Sequence, residues 1–129
     1  MLLTRWAEPP EMDAGAPQPA IVAEGDALWL AYRTHRGDHF AVLRFRGLRN
    51  LALGEPNHGR VNGNTRSASG LNFYAFQEVT NPGADGADLR RWLVTFRDET
   101  LDVTALAAEV VERAIEAADS ASALAMVRA

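Results

Sequence analysis

The stretch "ALWLAYRTHRGDHFAVLRFR", residues 27–46, constrains this chain more than any other. Leu28, Leu30 and Tyr32 alternate with Trp29, Ala31 and Arg33, and after Arg36-Gly37-Asp38 the residues Ala41, Leu43 and Phe45 alternate with Val42, Arg44 and Arg46. A period of two is the mark of a half-buried strand. Gly37 can take the positive φ that a tight hairpin turn needs. The chain is therefore expected to build an antiparallel sheet, with Leu43 and Phe45 facing inward.

Further strands are expected on both sides. "LRNLALG" (48–54) extends the sheet and ends at Gly54 and Pro56. "GLNFYAFQEVTN" (70–81) carries Leu71, Phe73, Ala75 and Val79 on one face and Tyr74 and Phe76 on the other, so both faces ask for cover. "RRWLVTF" (90–96) and "LDV" (101–103) read as a second hairpin. From Thr104 the period changes: Thr104 can cap a helix with Leu106, Val110, Ala114, Ala117 and Ala121 along one stripe, supported by the helix propensity of alanine. Residues 7–20 hold four of the six prolines, so residues 1–20 are expected to form a partly mobile N-terminal arm, with "LLTRW" docking as a short edge strand. The expected fold is one α+β domain over 1–129: a curved antiparallel sheet of five to seven strands with a C-terminal helical segment at 105–128.

Composition narrows the function classes. With 129 residues, 47% of them hydrophobic and 23% charged, the chain suits one globular domain with a real core. No run approaches the length of a spanning helix. The opening "MLLTRWAEPPEMD" lacks the basic start, apolar core and cleavage site of a secretory leader, so a cytoplasmic location is expected. The chain has no cysteine, which removes disulfides, thiol nucleophiles and thiolate metal sites. All 13 basic residues are arginine, so lysine-based covalent chemistry is absent too. A net charge of −4 argues against nucleic-acid binding. The charge is uneven: residues 27–97 carry ten Arg against five acids, while residues 1–26 and 98–129 carry one and two Arg against five and seven acids.

The segment "GEPNHGRVNGNTRSASG" (54–70) is unlike any packing element, with four glycines, three asparagines and Val61 as its one large apolar residue. Its backbone could present N–H groups to an anion, with Asn57, His58, Arg60 and Arg66 around it. It lacks the lysine and the ending of a phosphate loop. Arg44, Arg46 and Glu78 are the candidates that strands would add. Glu78 and Asp98 are the carboxylates best placed beside apolar strands, and a structural ion pair is the first expectation for each. His35, Asp38 and His39 at the hairpin tip leave a metal's coordination incomplete unless His58 joins them, so no metal and no cofactor are expected.

"GEPN", "GLNFYAFQEVTN" and "RRWLVTFRDETLDV" resemble the FGxPN, GLxxYxxxEVxNS and RHFxxTFHDSTFE motifs of a family of short uncharacterised bacterial proteins. The likeness covers roughly residues 40–105. It rests on Gly54, Pro56 and Asn57, on Gly70, Leu71, Tyr74, Glu78, Val79 and Asn81, and on Thr95, Phe96, Asp98 and Thr100. The family's GHPL becomes "GNTR" at 63–66, the histidine of its FHD is Arg97, and its last glutamate is Asp102. The resemblance implies a small β-rich domain and no particular chemistry.

Two function classes follow from these residues. The first is a non-catalytic binding or protein-interaction module, expected as a homodimer. The second is a small-ligand-binding protein or enzyme that uses the concave sheet face and the Gly54–Gly70 loop for an anionic ligand. Membrane partners are not expected.

Overall fold

The computed structural model of the chain describes residues 2–13, 19–35, 39–54, 75–80, 89–96 and 100–128. Among them run the strands β1 (Leu2–Arg5), β2 (Ala20–Glu24), β3 (Ala27–Arg33), β4 (His39–Arg46), β5 (Asn50–Gly54), β6 (Ala75–Thr80), β7 (Arg90–Thr95), β8 (Thr100–Ala105) and β9 (Ala107–Glu116), then the helix α1 (Ser120–Arg128). All strand pairs are antiparallel. The fold is mostly β, but the single sheet expected from sequence is two: a five-stranded sheet ordered β1-β6-β7-β8-β5 and a four-stranded sheet ordered β2-β3-β4-β9. The reason lies in β3, β4 and β7, where part of the second face is apolar as well, with Ala31, Phe40, Val42 and Leu93 buried on the side away from the main core. Strands buried on both faces need a cover on each side.

The main core fills the space between the sheets. Leu28, Leu30, Tyr32, Ala41, Leu43 and Phe45 come from the four-stranded sheet; Phe76, Trp92, Val94, Leu101, Val103 and Ala105 come from the other. Phe45 is fully buried, facing inward as its alternation predicts. Trp6, just past β1, enters between the sheets and meets Phe45, Phe76 and Trp92 at ring-centroid distances of 5.9, 6.1 and 5.8 Å. Tilted and edge-on ring pairs of this kind add about 0.5–1.5 kcal/mol each beyond area burial. A second, smaller cluster lies on the outer face of the four-stranded sheet, where Ala123 and Leu124 of α1 cover Ala31, Phe40 and Val42. The helix opens at Asp119, whose carboxylate accepts the Ser122 N–H at 2.7 Å; that bond holds its carboxyl below the usual range.

The helical segment expected over 105–128 is confined to Ser120–Arg128, and Ala107–Glu116 is a strand instead. It closes the open side of β4, from Arg46 opposite Ala107 to His39 opposite Glu116. Val110, Val111 and Ile115 suit a pleated surface, and pairing with β4 outweighs the helix propensity of the alanines. The register slips between Phe40 and Val42 and again between Val42 and Leu43. Such bulges break the period of two, which is why the segment does not read as a strand.

The arm expected over residues 1–20 is tied down in its described part. β1 pairs with β6 at the sheet edge, as "LLTRW" suggests, and the Trp6 N–H donates to Phe76 O at 2.9 Å. Met12 bridges Thr34, Asp13 N–H donates to Arg33 O at 2.9 Å, and His35 N–H donates to Glu11 O at 3.1 Å. The Tyr32 hydroxyl donates to Pro10 O at 2.6 Å, and burial pushes its phenol above the usual range. β2, which lies beyond that arm and was not expected, joins β3 through the two-residue link Gly25-Asp26. The Arg36-Gly37-Asp38 turn and residues 55–74 lie outside the described residues. Among the described residues no helix is long and apolar enough to cross a membrane.

The two sheets share one corner. β4 leaves the four-stranded sheet at Gly47 and becomes β5 of the other; β8 passes Leu106 and becomes β9 in the opposite sense. Leu106 N–H donates to Arg46 O at 3.0 Å and Arg49 N–H donates to Thr104 O at 2.8 Å, so the paired chains turn together. Gly47 sits at φ 68°, and a Cβ there would fall 2.6 to 2.9 Å from the Leu106 side chain, its Cβ included. Gly47→Ala is therefore expected to cost about 2–3 kcal/mol in denaturant unfolding, from left-handed backbone plus overlap. Gly25→Ala, at φ 61° but in open space, serves as the comparison and is expected to cost about 1 kcal/mol. Equal losses would mean that Leu106 simply swings aside.

Candidate functional site

Three cross-strand groups gather the charged side chains that the sequence singles out. The first is a row across β3, β4 and β9, where register places Trp29, Arg44 and Glu109 side by side. Arg44 donates through Nε to Glu109 Oε2 at 2.8 Å and lies over the Trp29 ring at 5.1 Å. Arg46 reaches the same carboxylate oxygen at 3.2 Å. Two guanidinium groups thus share one carboxylate beside an indole, and the group keeps one net positive charge. It occupies the outer face of the four-stranded sheet, on the row that carries Val42 under the helix.

The second group contains Glu78. Its carboxylate takes both Nε and Nη2 of Arg90 at 2.8 and 3.0 Å, a forked pair that is mostly solvated on the arginine side. That hydrogen bond holds the Arg90 guanidinium above its ordinary range, against some desolvation. Arg90 also lies over the Trp92 ring at 5.0 Å. Trp92 is fully buried, and its indole N–H has no acceptor among the described residues. Trp6 Nε1 donates to Glu8 at 3.3 Å close by in sequence. Glu78 is the structural ion pair expected of it, and it does not join Arg44 and Arg46: they stand on different sheets.

The third group lies on the other face of the five-stranded sheet. Arg91 and Asp102 form two bonds of 2.8 and 2.7 Å with side chains only 22% and 15% exposed. Hydrogen bonding to Asp102 holds the Arg91 guanidinium above its ordinary range, offset by burial. Gln77, Thr95 and Thr100 are buried on the same face. Thr95 stands opposite Thr100, and Thr100 stands opposite Gly54, so three residues that carry the motif resemblance form one row. Sequence reading named Asp102 only through that resemblance, and it left Glu109 off the apolar stripe of an expected helix rather than among the site residues. The signal that could have found both is the excess of acids after residue 97, facing an excess of arginines before it.

Asn57, His58, Arg60, Arg66 and Asp98 lie outside the described residues. His35 is exposed and His39 half-buried. Among the described residues no group of three histidines, cysteines or carboxylates is spaced to hold a metal ion. No family model, curated protein or solved structure matches the chain.

The buried pair and the solvated pair should behave differently. Asp102→Asn removes the charge from a poorly solvated, doubly bonded ion pair and is expected to cost about 2–3 kcal/mol. Glu78→Gln, which releases Arg90 toward water, is expected to cost less than about 1 kcal/mol. Urea titrations of the two variants check this, and equal losses would contradict the difference in solvation.

Proposed function

We propose that the protein is a non-catalytic protein-interaction module that works through the edge of β5 that no other described strand covers. One observation carries this reading: Leu51 and Leu53 are 36% and 47% exposed on an edge strand that bears no charge. Open edges are normally protected by charge, proline or a covering segment, because their backbone groups invite a further strand. Strand addition to such an edge is a common mode of recognition, with main-chain bonds giving affinity and alternate side chains giving specificity. The carboxylates support the same reading. Glu78, Asp102 and Glu109 are each engaged by an arginine of a neighbouring strand, a use that ties strands together.

A photo-crosslinking residue at position 53, in cells, tests the proposal, with the same residue at Met126 as the control because that side chain is exposed on the helix. A protein adduct at 53 and none at 126 is the expected result. Failure to form an adduct at 53, or equal labelling at both sites, removes the reading.

A second reading is favoured by the Arg44–Arg46–Glu109 group, whose residual positive charge beside Trp29 suits a small anion such as phosphate. Inorganic phosphate is then expected to shift the Trp29 indole resonance saturably, and Arg46→Ala to abolish the shift. An unmoved resonance at millimolar phosphate rejects this alternative.

A further inference from the structure

We infer that the β5 edge is occupied by the β5 edge of a second copy of this chain, joined in antiparallel register about Ala52; this rests on the interaction-module reading above. Four observations lead there. Among the described strands, β1, β2, β5 and β9 are the sheet edges. Arg5 stands in β1, Glu24 in β2, and Glu109, Glu112, Arg113 and Glu116 in β9. Only β5, "NLALG", has no charged residue.

The second observation is backbone direction. The Leu51 N–H is taken by the side-chain oxygen of its own neighbour Asn50 at 2.9 Å, so it is aimed away from β8. The period of two gives Leu53 the same orientation. The outward donors and acceptors of β5 therefore belong to residues 51 and 53.

The third observation is symmetry. Leu51 and Leu53 flank Ala52, so a two-fold axis through facing Ala52 residues sets each Leu51 opposite the partner's Leu53. The four outward backbone pairs then meet donor to acceptor, and Ala52 faces its own copy across a pair without hydrogen bonds. An isologous contact of this kind closes on itself and ends at two subunits.

The fourth is side-chain placement. Leu51 stands opposite Val103 and Leu53 opposite Leu101, both buried core residues. The leucines thus extend the apolar face of the sheet to its rim, where four of them would pack together. The result is one continuous ten-stranded sheet through two molecules. The Asn50 amide competes for the Leu51 N–H, which makes the association reversible and dependent on concentration.

The test uses the absence of cysteine in the native chain. Facing residues of a pair without hydrogen bonds have Cα atoms about 4.5 Å apart, within the disulfide range. Ala52→Cys is expected to oxidise to a covalent dimer of twice the 14.0 kDa chain mass, whereas Ala121→Cys on the exposed side of the helix is expected not to. In sedimentation equilibrium the native chain is expected to approach the doubled mass, and Leu51→Lys/Leu53→Lys to return to 14.0 kDa with an unchanged circular dichroism spectrum. Should the lysine variant misfold, the cysteine pair of variants still decides the register. A native mass that stays at one chain, a failure of Ala52→Cys to cross-link, or a dimer untouched by the two lysines each overturns the inference. An adduct to a different protein at position 53, alongside a monomeric native chain, overturns the dimer and leaves the module reading intact. Absence of any adduct removes both.

Discussion

The fit of Leu106 against Gly47 holds the architecture together, because it is where two paired strands change sheet at once. A side chain at position 47 would push β8–β9 away from β4–β5, and the two sheets would lose the seam that aligns their inner faces. Everything downstream depends on that alignment. Phe45, one turn of the pleat before the corner, meets Trp92 at 5.4 Å across the gap, and Trp6 fills the remaining space from the edge. Glycine is required here for close approach as much as for backbone freedom.

Among the described residues, charges of the unevenly charged segments pair with one another within the chain. Arginines of the basic middle, Arg44, Arg46 and Arg91, meet Glu109 and Asp102 of the acidic C-terminal segment. Arg33 meets Asp13 from the acidic N-terminal segment, and Arg128 meets Glu24. Arg44 with Glu109 and Arg91 with Asp102 are complementary neighbours on adjoining strands. Cross-strand pairs of this sort help set register, since opposite charges at facing positions favour one alignment over its slipped alternatives.

Legibility in the sequence followed period and locality. β3, β4, β7 and β8 were readable because each alternates cleanly beside a short turn, and β5 because glycine and proline stop it. β9 was not, because two bulges hide its period and its alanines imitate a helix face. The division into two sheets was not, because nothing local distinguishes a strand with two apolar faces in one curved sheet from the same strand between two layers. Of the candidate residues, Glu78 read correctly as an ion pair, while the link between Arg44, Arg46 and Glu109 required a pairing between segments more than sixty positions apart. The β5 edge was missed as a site because edges are properties of topology, and "NLALG" is unremarkable until its second neighbour is known to be absent from the described residues.

The docking of Trp6 has a consequence for how the molecule is made. β1 finds its partner β6 only across 74 positions of chain, and β4 waits as long for β9. During synthesis the β2-β3-β4 meander can form early, since its contacts are local. Trp6, by contrast, precedes that meander in the chain and has nothing to enter until β6 and β7 have followed. The Trp6 indole thus stays outside the core until the second sheet forms, and until then it adds to the apolar surface that an incomplete fold leaves exposed.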